Sequence, residues 1–128
     1  MPDIRFAEDD MLVLAYLHEH AKGFGDKCIF SAEHVARDLF LSPEAMSKSV
    51  SYLTDLRFVG ARLSHRRRDG VLVYREMFLT GMGENLVREV EEHNGVMRRM
   101  TVSAVREGWT VLKVVAASVL SEVLKRAI

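Results

Sequence analysis

Two linked stretches decide the fold: Phe30-Ser-Ala-Glu-His-Val-Ala-Arg-Asp-Leu-Phe-Leu-Ser-Pro-Glu-Ala-Met46 and Val50-Ser-Tyr-Leu-Thr-Asp-Leu-Arg-Phe-Val59. Ser31 is a good N-cap for a helix over about 32–40, with Glu33 in its first turn. Val35, Ala36 and Leu39 share one face of it. Leu41-Ser42 makes a short turn. Ser42 then caps a second helix that opens on Pro43, where a missing N–H costs nothing, and runs to about Leu56. Met46, Val50 and Leu53 recur at helical spacing and are expected to face inward, leaving Ser47, Lys48, Ser51 and Tyr52 outside.

Directly after this pair comes Arg57-Phe-Val-Gly-Ala-Arg62-Leu-Ser-His-Arg66-Arg67-Arg68, with five arginines and no acid. Asp69-Gly70 is a tight-turn dipeptide. Val59–Ser64 and Val71–Leu79 read as two strands around a tip at His65–Gly70.

Working outward, a first helix is expected over about 7–22, with Glu8, Asp9 and Asp10 at the end where acids suit the helix dipole. Gly23-Phe-Gly25 stops it, and Lys27–Phe30 is a short strand candidate. Thr80 caps a fourth helix over about 81–93, with Leu86 and Val90 inward, and Asn94-Gly95 ends it. A long fifth helix follows over about 97–126. The fold class expected is mainly α (α+β). Two short helices, a basic hairpin, a three-stranded small sheet and a long C-terminal helix make a winged helix-turn-helix. The expected division is a winged-helix domain at 1–93 and a C-terminal helix at 96–128 that serves dimerisation.

At 128 residues the chain is sized for one domain, and 48% apolar residues suffice for a core, so disorder is excluded. The formal net charge of zero hides an asymmetry. Residues 1–40 carry four Lys/Arg against eight Asp/Glu, residues 41–80 seven against four, and residues 81–128 seven against six. The basic third holds the two helices and the hairpin, so local charge favours an anionic partner there. One cysteine, Cys28, excludes a disulfide framework and a cysteine-based zinc site, and fits a reducing cytoplasm. Cys28 is expected as a small apolar residue on a core strand. The N-terminal segment lacks the pattern of a signal peptide. The most apolar run, Trp109 to Leu120, is interrupted by Lys113 and is too short to span a bilayer, so no membrane partner is expected.

Three stretches resemble the winged-helix regulators of the MarR and PadR type. They are Phe30–Met46, Val50–Val59, and Phe78-Leu-Thr-Gly-Met-Gly-Glu-Asn-Leu86, which is similar to the Leu-Thr-x-x-Gly-x-x-Leu closing the wing in that family. Together they cover residues 30–86. Arg57 departs from the pattern, because such regulators carry a glycine where the helix turns into the strand, so a different helix ending is expected here. The resemblance implies a homodimer built from terminal helices, the second helix of the pair in the major groove and the wing at the minor groove.

The residues expected to meet double-stranded DNA are Ser42, Ser47, Lys48, Ser51 and Tyr52 on the helix and Arg62, Arg66, Arg67 and Arg68 on the wing. Arginines at a hairpin tip suit phosphates or a narrow minor groove, and short hydroxyls suit base edges. Glu44 repels phosphate unless it accepts from a cytosine amine. The wing carries more charge than the helix, so backbone grip is better supported than sequence reading.

On the fifth helix Val102, Val105, Trp109, Leu112, Ala116, Val119 and Val123 recur at three and four, a helix-pairing seam expected to form the dimer interface. The competing use is folding back on its own domain. His18 and His20, two apart on a helix, diverge, and no metal-binding, phosphate-loop or nucleophile motif is present. No metal, no cofactor and no enzymatic activity are therefore expected. Met11, Tyr16, Met97, Met100 and Trp109 suit an effector pocket, yet suit a core better; an effector is unknown. The expected function is a dimeric DNA-binding transcriptional regulator, against an interaction module that uses the same fold to bind protein.

Overall fold

The computed structural model describes residues 5–21, 28–93 and 99–127. Eight elements follow in order: α1 (Glu8–Ala21), β1 (Phe30–Ser31), α2 (Ala32–Leu39), α3 (Pro43–Asp55), β2 (Val59–Arg66), β3 (Leu72–Leu79), α4 (Gly81–His93) and α5 (Val102–Ala127). The architecture is a mixed α+β body with an antiparallel three-stranded sheet, ordered β1-β3-β2, and a long C-terminal helix. The Gly23–Gly25 and Asn94–Gly95 stops, Lys27 and Met97 lie outside the described residues.

α1 is the axis of the core. Met11 to Leu17 is almost unbroken apolar sequence, and every residue of it is buried because α2, α3, α4 and α5 all pack around this helix. Each large side chain so enclosed contributes roughly 1.5–3 kcal/mol of transfer free energy. Met46, Val50 and Leu53 of α3 and Leu86 and Val90 of α4 face the same core, as their spacing requires.

The α2–α3 connection is built from caps. Ser31 Oγ accepts the His34 N–H at 3.4 Å, and Ser42 Oγ accepts the Ala45 N–H at 3.1 Å. α2 closes with Phe40 in the left-handed region at φ 57°, and the Leu41 N–H reaches back to the Ala36 carbonyl at 2.9 Å.

α3 ends by the same device. Arg57 takes φ 67°, and the Phe58 N–H bonds the Leu53 carbonyl at 3.0 Å. The expectation of a different ending is corrected: Arg57 adopts the left-handed conformation that a glycine would adopt at less cost. Thr80 then joins this corner to α4. Its hydroxyl donates to the Arg57 carbonyl at 2.7 Å and accepts the Gly83 N–H at 3.1 Å.

α5 lies along α1 and α4. Val105, Leu112, Ala116, Val119 and Val123 are buried in the chain's own core, and Trp109 is half-buried against it. The seam expected to form a dimer interface is therefore occupied within the protomer, and the described part of the 96–128 segment shares one core with the rest. Met11, Tyr16 and Met100 are core residues as well. Cys28 is corrected too: it is only partly buried and precedes β1 rather than lying on a core strand. Among the described residues no helix is long and apolar enough to cross a membrane.

Candidate nucleic-acid interface

The β2–β3 hairpin projects from the body with all residues from Arg62 to Gly70 exposed. Its tip is closed by the Arg67 N–H on the Val71 carbonyl at 2.8 Å and the Gly70 N–H on the Arg67 carbonyl at 3.0 Å. Gly70 sits at φ 90°, and Asp69 Oδ1 accepts the Val71 N–H at 3.2 Å, so Asp69-Gly70 forms the turn its chemistry suggests.

The four wing arginines are not equivalent. Arg67 donates to Asp69 Oδ2 at 2.9 Å and lies 3.7 Å from Glu44 Oε1 of α3. Its charge is already balanced by two acids. Arg62, Arg66 and Arg68 form no ion pair among the described residues, and Arg62 stands opposite Glu76 in the strand register. The Arg67–Glu44 contact also fixes where the tip sits: it reaches the N-terminal end of α3, where the helix dipole adds positive potential.

The serines of α3 are placed differently from expectation. Ser47 and Ser51 are half-buried, four residues apart on the face turned to the hairpin. Ser47 Oγ accepts the Leu72 N–H at 2.9 Å, and Ser51 Oγ lies 2.7 Å from the Tyr74 hydroxyl. Tyr52 is half-buried, packs edge-on against Phe6 and donates its hydroxyl to the Arg5 carbonyl at 2.9 Å. Burial, then the nearby Asp10 charge, holds its phenol above the usual tyrosine range. Ser42 is the α3 cap. These four hydroxyls are thus engaged in holding α3, the hairpin and the N-terminal segment together. Lys48 alone of the five expected helix residues is exposed and without such a bond among the described residues.

The solvent-facing charges of α3 are Glu44, Lys48 and Asp55, one base against two acids. Beside them the hairpin contributes Arg62, Arg66 and Arg68. Between α2, α3 and the hairpin lies a cavity of about 450 Å³, lined by Ala36, Leu41, Met46 and Val73 with His65 and Arg75 also lining it. Sequence periodicity gave no sign of this cavity, because its walls come from three elements.

Elsewhere, His18 is buried between Glu84 at 3.2 Å and Glu91 at 3.6 Å, while His20 stacks on Tyr16. Among the described residues no group of three or more His, Cys, Asp or Glu is arranged to hold a metal ion. Comparison with protein-family models, with curated proteins and with solved structures finds no match.

Proposed function

We propose that this chain is a winged helix-turn-helix DNA-binding protein of the cytoplasm, a transcriptional regulator that meets its site as two copies and grips the duplex backbone through the β2–β3 wing. The observation that carries this reading is the Arg67–Glu44 contact, which brings a tip bearing the unpaired Arg66 and Arg68 beside the N-terminus of α3. A helix end and a cationic hairpin then face solvent together, and closely spaced phosphates are the polymer that such a surface suits. Base reading is the lesser part, since Ser47, Ser51 and Tyr52 are bonded internally and Lys48, the one cation of α3, also interacts with the Asp10 carboxyl.

A second reading, a winged-helix module that binds protein, is favoured by the acidic balance of Glu44, Lys48 and Asp55 and by the neutralised Arg67. Binding to random duplex DNA over a salt series separates the two. Arg66→Ala with Arg68→Ala is expected to weaken binding and reduce the salt slope by about 2, at roughly 0.9 for each phosphate no longer neutralised. Arg67→Ala is expected to change the slope by less than either single replacement, because its charge is already offset. An unmodified chain without salt-sensitive binding at low ionic strength would leave the interaction module standing.

A further inference from the structure

The cavity between α2, α3 and the hairpin combines apolar walls with two unpaired charges. Its volume of about 450 Å³ falls within the range of small-molecule sites. Met46 in its lining is buried in the core, Ala36 and Leu41 pack against that core, and Val73 adds a further apolar side chain from β3. Opposite charges share the same lining, Glu33 from α2 and Arg75 from β3. Both are exposed, and neither forms an ion pair or a side-chain hydrogen bond among the described residues. In the cavity between α4 and α5, by contrast, the lining residues Glu89 and Arg126 close on each other at 2.5 Å. Glu33 and Arg75 stand apart, with the cavity shared between them. His65, the other titratable side chain of the lining, has its Nδ1 3.1 Å from Ser64 Oγ.

We infer that this cavity is a binding site for a free amino acid with a bulky apolar side chain. Glu33 takes the ammonium group, Arg75 takes the carboxylate, and the side chain lies against Ala36, Leu41, Met46 and Val73. The two charges select this class of ligand. An apolar acid would satisfy Arg75 but bring its own charge toward Glu33, and an apolar amine would meet the same repulsion from Arg75. A neutral apolar ligand leaves both charges without a partner. A zwitterion satisfies both at once, because its ammonium and carboxylate groups sit on one carbon and enter the space that the two side chains leave open. Since Glu33 and Arg75 belong to different elements, the bound ligand also links α2 to the hairpin.

Titration of the whole chain with L-phenylalanine, followed by amide NMR in the absence of DNA, tests this site independently of the proposed function. Saturable shifts are expected, centred on Ala36, Leu41 and Val73. 3-Phenylpropionate lacks the ammonium group and phenethylamine lacks the carboxylate. Each should bind roughly fivefold more weakly, the scale of a solvent-screened ion pair. Glu33→Gln should weaken L-phenylalanine by a similar factor and remove its advantage over 3-phenylpropionate. Arg75→Gln should do the same and remove its advantage over phenethylamine. Both side chains are exposed and unbonded, so the variants should melt with the wild type. Absence of saturable shifts with both L-phenylalanine and L-leucine overturns the site, and shifts centred between α4 and α5 overturn its location. An analogue that binds as tightly as the amino acid, or a variant that keeps full affinity, overturns the pairing of charges. Failure of duplex binding would overturn the proposed function and leave this site in place.

Discussion

Ser47 Oγ accepts the Leu72 N–H at 2.9 Å, so α3 and β3 are joined by a side-chain bond to a strand backbone and not by packing alone. One turn on, the Ser51 and Tyr74 hydroxyls meet at 2.7 Å. The pair sets the angle between the helix and the hairpin. Ser47→Ala leaves a half-buried N–H without a partner and is expected to cost about 1–3 kcal/mol of unfolding free energy. In a double-mutant cycle, Ser51→Ala and Tyr74→Phe should couple by roughly 0.5–1.5 kcal/mol. Urea denaturation measures both, and amide exchange at Leu72 should quicken in Ser47→Ala more than exchange at Met77. Unchanged stability together with unchanged Leu72 exchange would show the hinge to be held by packing.

The parts of this arrangement legible in the sequence were those written in local chemistry. Serine caps, Pro43 and the Asp69-Gly70 turn each act within three or four residues, so α2, α3 and the hairpin tip could be placed from them. The roles of Ser47 and Ser51 were not legible, because their partners lie 25 and 23 residues away. A polar residue at helical spacing reads as solvent-facing unless its acceptor or donor is known. The α5 stripe was legible as a stripe, but periodicity cannot say whether its own core or another molecule covers it. α1 and α4 cover it here. The end of α3 was misread for a simpler reason: no rule of composition says that an arginine will accept a left-handed conformation.

Gly83 and Gly81 stand two residues apart on α4 and should respond in opposite directions. A Cβ at Gly83 would lie 2.1 Å from the Phe58 carbonyl oxygen and 2.7 Å from Leu79 Cδ1. The carbonyl cannot withdraw, since it also accepts the Thr80 N–H at 3.1 Å. Gly83→Ala is therefore expected to lose at least about 2 kcal/mol as overpacking, despite the better helix propensity of alanine. Gly81 has open space around it, and Gly81→Ala should gain up to about 1 kcal/mol. Thermal melts of the two variants check the contrast; equal shifts would show that α4 can slide away from the α3 corner.

Arg57 holds a positive φ of 67° with its side chain exposed. For a residue with a Cβ that conformation costs roughly 1–2 kcal/mol, part of which glycine returns as greater freedom in the unfolded chain. Arg57→Gly is expected to stabilise the fold by about 0.5–1 kcal/mol, while Arg57→Ala should change it little. Chemical denaturation of both variants is the check. A stabilised alanine variant would mean that the arginine charge, not the backbone, is the source of strain.

Asp10 is a buried carboxyl at the start of α1, where its two oxygens accept the Ala7 N–H at 2.8 Å and the Ser49 hydroxyl at 2.5 Å. Burial raises its pKa from 3.8 and outweighs the two hydrogen bonds that favour the ionised form. A carboxyl raised in the native state binds its proton more tightly there than in the unfolded chain. Its stabilising contribution is thus complete below 3.8 and is lost as pH rises through the higher native value. Asparagine keeps an oxygen for the Ala7 N–H and offers an N–H₂ to the Ser49 oxygen, without a charge to desolvate. Asp10→Asn should therefore gain on the wild type as pH rises through that interval, and hold a constant margin above it. Unfolding free energies of the two proteins across the acid range measure this margin; one that narrows with rising pH would mean that the hydrogen bonds, not burial, govern Asp10.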